Sequence, residues 1–152
     1  MILRKAGQAA RAISASEAAG LVRPGMWIDF GAVLAQPDVF DAALGARAGE
    51  LSDVKVRGCL SVKPRAFLEA DPEGAHFQAF NWHFSAYDRK QHDAGRCSYI
   101  PLNLSEACDY YRRFIDPVDI LVIKTGRWTR SAGSTSARPT SGIARSSSAP
   151  AW

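Results

Sequence analysis

The run Val118-Asp119-Ile120-Leu121-Val122-Ile123 constrains the fold more than any other stretch of the chain. It is almost continuously apolar, the pattern of a strand buried on both faces of a parallel sheet. Parallel neighbours need crossover connections, usually helices, and the preceding sequence supplies them in alternation. Ser14 and Ser16 are N-cap candidates for a short helix to Val22, stopped by Pro24-Gly25. Met26 to Phe30 is a β-rich run ending at Gly31. Pro37 and Asp38 open a second helix with Val39, Phe40, Ala43 and Leu44 at helical spacing. Val54 to Leu60 alternates as a strand, Phe67 to Ala70 makes one helical turn, and Phe77 to Phe84 is an aromatic strand. A polar helix from Ala86 to Ala94, a short strand from Cys97 to Ile100 and a helix from Ser105 to about Arg113 complete the series. The last of these carries Ala107, Tyr110, Tyr111 and Phe114 as its apolar stripe. The fold class is therefore α/β, alternating strands and helices around a mainly parallel sheet with right-handed crossovers. Such a sheet is incomplete at its C-terminal end if it stops just after its best strand.

Beyond Thr125 the composition changes. Ten of the 27 residues from Gly126 to Trp152 are Ser or Thr, and Leu, Val, Phe and Tyr are absent. A segment of this kind buries too little apolar area to offset its ordering entropy, so it is expected to be disordered. The expected organisation is an N-terminal extension over 1–13, an α/β domain over 14–125 and a Ser/Arg/Ala-rich tail over 126–152.

The charge divides the same way. The formal charge is +4 and the pI about 9.2, which at first suggests nucleic acid or an anionic membrane. All fifteen Asp and Glu lie between Glu17 and Asp119, where fifteen Lys and Arg in residues 1–125 balance them. The excess is Arg127, Arg130, Arg138 and Arg145. The domain itself is neutral, so neither nucleic acid nor membrane is expected as a partner. No apolar run approaches the about 20 residues of a membrane span, so the chain reads as soluble. Cys59, Cys97 and Cys108 form no C-x-x-C pair, and their odd number suggests free thiols in a reducing cytoplasm. With only His76, His83 and His92 beside them, no metal set is expected. Cys97 and Cys108 read as small core residues, His76 and His92 as surface histidines. The first nineteen residues lack the apolar region of a secretory signal, while a mitochondrial presequence fits their composition.

Several stretches resemble the N-terminal domain of the acetyl-CoA hydrolase/transferase family, which includes acetate, butyrate and 4-hydroxybutyrate CoA-transferases. They are Ser16-Glu17-Ala18-Ala19 with Val22, Trp27-Ile28-Asp29-Phe30-Gly31, Asp53-Val54-Lys55-Val56-Arg57-Gly58, and Asn81-Trp82-His83-Phe84-Ser85 with Arg89-Lys90. Tyr99-Ile100-Pro101, Leu104-Ser105-Glu106 and Pro117-Val118-Asp119 follow in order. The resemblance runs from about Ser14 to Thr125 and stops where the family carries an M-D-x-x-G-x-F-N-F-G-P segment. Read one frame over, the codons of Arg127 to Arg138 permit M-D-E-x-G-W-F-N-F-G-P. Trp128-Thr129 fixes the Asp, and the serines must use suitable codons. The expectation is a chain truncated by a frameshift near Gly126.

The resemblance implies ping-pong transfer of coenzyme A. A glutamate of the C-terminal half attacks the acyl-CoA, passing through an anhydride to a glutamyl-CoA thioester. None of the fifteen acids here stands in that context, so the fragment is expected to lack the nucleophile and to be inactive alone. Acyl-CoA and a short-chain carboxylate are the implied partners of a parent enzyme expected to be a homodimer. The coenzyme A thioester is substrate, and no bound cofactor is expected. Transferase and hydrolase stay undistinguished.

What remains would line a substrate cleft, which in open α/β sheets lies at the carboxyl ends of the strands. Asp29 and Gly31 stand at one such end, with a solvated or capping Asp and a plain turn glycine as the alternative. Asn81, Trp82 and His83 form the second candidate wall, with a core Trp beside a hydrogen-bonded His as the alternative. Tyr99-Ile100-Pro101 and Ser105-Glu106 read as a strand end and a capped helix start. The competing function is a non-enzymatic α/β binding module with a basic disordered arm. Four thinly spread arginines would give that arm only weak phosphate binding.

Overall fold

The computed structural model describes residues 12–129 and 133–145, with side chains through residue 126. A capping box opens helix α1 (Ala15–Ala19): the Ser14 hydroxyl accepts from the Glu17 amide while the Glu17 carboxylate accepts from the Ser14 amide. Strand β1 (Trp27–Phe30), a 3₁₀ turn over Val33–Ala35 and helix α2 (Asp38–Gly45) follow. Next come β2 (Val54–Gly58), α3 (Ala66–Glu69) and β3 (Phe77–Asn81). Helix α4 (Ala86–Asp93) has a second capping box, between Ser85 and Asp88. Then come β4 (Cys97–Tyr99), α5 (Ala107–Arg113), β5 (Ile120–Thr129) and β6 (Gly133–Arg145).

The sheet order is β4-β3-β2-β1-β5-β6. The first five strands are parallel, as the alternation of elements requires. From β1 the chain steps outward to β4, then returns past β1 to place β5 on its other side. With crossovers of one hand, reversing the direction of travel moves the connection to the opposite face of the sheet. Helices α1 to α4 therefore share one face, and α5 lies on the other.

Strand alternation sorts the side chains accordingly. Ile28, Phe30, Val54, Val56, Phe77, Ala79, Ile120 and Val122 are buried in one core with Phe40 and Leu44 of α2 and Phe67 of α3. The Phe30 ring meets Phe40 and Phe67 edge-on at 6.0 Å. The opposite face carries Trp27, Asp29, Lys55, Arg57 and Phe80.

Three expectations are corrected. Cys108, expected to be a small core residue, is exposed on α5, none of whose residues is buried and whose apolar stripe ends in Phe114 at 68% exposure. The start of this helix is a 3₁₀ turn over Leu104–Glu106 after Asn103, without a side-chain cap, rather than a capped Ser105. Residues 133–145, expected to be disordered, pair antiparallel with β5 from Ile120↔Arg145 to Thr129↔Gly133. Backbone hydrogen bonds to an open strand edge demand little of the side chains, which is why composition missed this pairing. The expectations for 1–11, 130–132 and 146–152 lie outside the described residues. No helix among the described residues is long and apolar enough to cross a membrane.

Candidate functional site at the carboxyl edge of the sheet

The strand order reverses between β1 and β5, and Gly31 sits there. Its amide donates to the Val122 carbonyl at 3.0 Å. A Cβ on Gly31 would lie 2.5 Å from the Ala35 carbonyl oxygen, so the loop folds back on its own strand end through a position only glycine fits. This tight return forces Val33 to a φ of 53°, and Leu60 at the end of β2 takes 52°. A β-branched and a γ-branched residue in the left-handed region are strained. The two loops are tied, since the Val33 amide donates to the Cys59 carbonyl at 3.0 Å. Strain stored in mutually bonded loops at the ligand edge of an α/β sheet is the strongest local sign of a working surface here.

The next strand end is fastened to the same place. The buried Asn81 side chain accepts the Leu60 amide at 3.2 Å through Oδ1, and the His83 carbonyl accepts it at 2.8 Å. The Trp82 amide donates to Gly58, and the Ile100 amide donates to the Asn81 carbonyl. The Asp88 carboxylate accepts from the amides of Ser61 and Ser85, joining the β2 loop to the start of α4. Beneath lies a small hollow bordered by Gln36, Ser61, Arg65, Asn81 and Asp88. Two buried atoms of this group, Gln36 Oε1 and Arg65 Nη1, have no hydrogen-bond partner.

A charged cluster flanks the hollow. The Asp38 carboxylate takes Lys63 at 2.9 Å, Lys124 at 3.0 Å and Arg65 at 3.3 Å. Partial burial works to raise its pKa, but hydrogen bonds from Lys63 and Lys124 and their charges hold it at about 2. Asp41 caps α3 by accepting the Ala66 and Phe67 amides, and burial raises its pKa against those bonds. Leu34, Val39 and Val62 stand exposed around the cluster.

On the other face, Asp29 and Arg57 are register partners of β1 and β2. Arg57, 1% exposed, donates through Nε to Asp29 at 2.6 Å and through Nη1 to the Asp116 carbonyl at 3.0 Å. Its guanidinium lies 4.6 Å from the Trp27 ring centroid and 5.4 Å from that of Tyr111. The Tyr111 hydroxyl donates to Asp29 at 2.6 Å, and the Tyr111 ring packs on Trp82 at 5.6 Å. Burial pushes the Asp29 carboxyl up, while Arg57 and the Tyr111 hydroxyl pull it down. Burial and the neighbouring Asp29 push the Tyr111 phenol up.

The five sequence-predicted residues thus fall into two groups. Gly31, Asn81 and the backbone of the exposed His83 meet at the carboxyl edge; Asp29 and Trp82 meet through Tyr111. Asp29 is neither solvated nor a cap but half of a buried ion pair. Sequence reasoning missed Arg57, Tyr111, Asp38 and Asp88. Only Asp88 left a local signal, as the third residue after the cap Ser85. Cys97 is buried as expected, and burial raises its thiol pKa to about 12, which marks it as inert. His92 is exposed and His76 half-buried, its Nδ1 2.8 Å from the Leu51 carbonyl.

An open parallel sheet with tied, strained loops at its carboxyl edge beside a strand-order reversal defines the class: an α/β domain whose candidate site lies at the strand ends. The chain belongs to the acetyl-CoA hydrolase/transferase family, matching the model of its N-terminal domain over residues 4–147, so the likeness does not stop at Thr125 as the sequence motifs led us to expect. It is 32% identical over 111 residues to a butyryl-CoA:acetate CoA-transferase of Anaerostipes caccae, covering 73% of this chain and 25% of that protein. It is 33% identical over 112 residues to a probable butyrate:acetyl-CoA coenzyme A-transferase of Syntrophomonas wolfei, covering 74% and 25%. The chain thus spans about a quarter of the length of these relatives. The fold is shared with RipA from Yersinia pestis (TM-score 0.52, 18% identity, 64% of this chain and 25% of that one). A mutant RipA structure gives a TM-score of 0.58 at 18% identity, over 76% and 31%.

Proposed function

We propose that this chain is the N-terminal domain of an acyl-CoA:carboxylate CoA-transferase, with acetate as carboxylate, or of an acetyl-CoA hydrolase, acting in short-chain acyl-CoA metabolism. Membership of the family carries this reading, and the strained carboxyl edge supports it by marking where a cleft wall would stand. Gly31, Asn81 and the loops they hold would face the coenzyme A thioester and the carboxylate. In that chemistry a glutamate carboxylate attacks the thioester carbonyl and expels the coenzyme A thiolate, leaving an acyl-glutamyl anhydride. The thiolate then attacks the glutamyl carbonyl and releases the carboxylate.

The nucleophilic glutamate belongs to the second half of such an enzyme, and this chain is proposed to lack it. The acid-free composition from Gly126 onward and the family-like segment permitted in the neighbouring frame support a reading-frame change near codon 126. The test has two arms. Acyl-CoA:acetate exchange is expected to be absent from the 152-residue chain and present in the product of the frame-corrected gene. Exchange by the chain alone, or downstream DNA that no single-base change brings into that frame, would refute the proposal.

A further inference from the structure

We propose that Tyr111 is a positioning residue, a latch that holds the β4–β5 crossover closed over the sheet, and that this crossover opens on its own as a strap. The crossover contributes little to the core. No residue of α5 is buried, and Leu104 and Phe114 are 91% and 68% exposed. Segments with few buried apolar contacts open below the global unfolding free energy.

Its ends are fixed. The Ile100 amide bonds to the Asn81 carbonyl at 2.9 Å. At the far end the Trp27 amide donates to the Asp119 carboxylate at 2.8 Å, and the Asp119 amide donates to the Trp27 carbonyl at 3.0 Å. Between those anchors the attachment is concentrated on one spot: the Tyr111 hydroxyl on Asp29, the Tyr111 ring on Trp82 and beside the Arg57 guanidinium, and Arg57 Nη1 on the Asp116 carbonyl.

What lies under the latch makes the strap two-sided. Closed, it keeps Asp29 and Arg57 out of water, and Arg57 Nη2 has no hydrogen-bond partner. Opening forfeits the Tyr111 bond but rehydrates a buried ion pair whose desolvation is costly. The two states are therefore closer in free energy than the burial of a core element would make them. The Tyr111–Asp29 bond, charge-assisted at 2.6 Å, tips the balance toward closure. Closure also packs the Tyr111 ring on that of Trp82, so the latch couples α5 to one of the candidate cleft walls.

Hydrogen exchange on the full chain, read by mass spectrometry, tests this without any activity. In the wild type, amides of 104–116 are expected to exchange through an opening insensitive to low urea, while those of β1 to β3 follow global unfolding. Tyr111→Phe keeps the ring and removes the donor. It is expected to speed exchange across 104–116 by roughly 10- to 100-fold and to increase acrylamide quenching of tryptophan fluorescence, with β1 to β3 changed much less. Phe114→Ala, at an exposed site of the same strap, is expected to leave 104–111 as in the wild type. Equal urea dependence of 104–116 and β1 in the wild type would overturn the strap, whether or not any variant folds. A uniform rise over the whole sheet in Tyr111→Phe, or no change in 104–116, would overturn the latch.

Discussion

Replacing Arg57 with Met and Asp29 with Leu, singly and together, separates the attraction within the buried pair from the cost of burying it. Arg57 is 1% and Asp29 4% exposed, so with the crossover closed each single variant leaves its former partner buried away from water. Removing one partner of such a pair costs about 3–5 kcal/mol, chiefly the penalty of an uncompensated buried charge. The double variant removes both charges and puts apolar side chains in their place. Its remaining losses are the Tyr111 hydroxyl left without its acceptor, about 1–3 kcal/mol, and the Asp116 carbonyl left without the Arg57 donor. The double is therefore expected to be more stable than either single, with a coupling of several kcal/mol by urea titration at constant m. The singles also differ in kind. In Asp29→Leu the guanidinium cannot shed its charge, so the loss should be flat with pH. In Arg57→Met the Asp29 carboxyl, already pushed up by burial, can take a proton. A carboxyl with a raised folded pKa stabilises below the unfolded value of 3.8 and loses that as pH rises through the folded pKa. The midpoint of Arg57→Met should thus recover from pH 7 toward pH 4. Additive losses, or identical pH profiles for the two singles, would refute the reasoning.

Gly31→Ala places a methyl 2.5 Å from the Ala35 carbonyl oxygen and is expected to cost about 1–3 kcal/mol, whereas Gly49→Ala, with nothing within 4 Å, should be neutral or slightly stabilising; a thermal melt compares them. Val33→Gly removes left-handed strain of about 1–2 kcal/mol against an entropic loss of about 0.5–1, so its midpoint should match or exceed the wild type, and a clear fall would deny the strain. Asp38, held at about 2 in the fold against 3.8 unfolded, contributes stability above pH 3.8 that is lost as pH falls through 2; Asp38→Asn should flatten that acid limb in urea midpoints taken from pH 5 to pH 2.

The parts of the fold legible in the sequence are those set by local chemistry. The Ser14 cap, the stop at Pro24-Gly25 and the alternation of Val54-Lys55-Val56-Arg57 all report neighbours within a few residues. The β5 run announced a strand buried on both faces; Ile120 and Val122 on the core face are fully buried, while Leu121 and Ile123 on the other face are only half-buried. Gly31 was legible as a site of close approach, because no other residue serves there, although the approach is by Ala35 of its own loop.

The face that α5 crosses was not legible, for a reason that lies in the alternation itself. Period-two patterning says that Lys55 and Arg57 point away from Val54 and Val56; it does not say what they meet. A charged residue at an outward position reads as solvated unless its partner is known, and the partners of Arg57 lie 28 residues away in Asp29 and 59 away in Asp116. The same limit applies to α5. An apolar stripe at Ala107, Tyr110, Tyr111 and Phe114 predicts an amphipathic helix, but it does not distinguish a helix sunk into a core from one resting on a polar face through a single tyrosine. Tyr111 can do the latter because its ring stacks and its hydroxyl donates, so one side chain meets both Trp82 and Asp29. The charge pair and the helix that covers it are thus consequences of one topological fact. The return past β1 that places β5 also lays α5 across the strand positions, Asp29 and Arg57, where the described residues of this sheet carry buried charge.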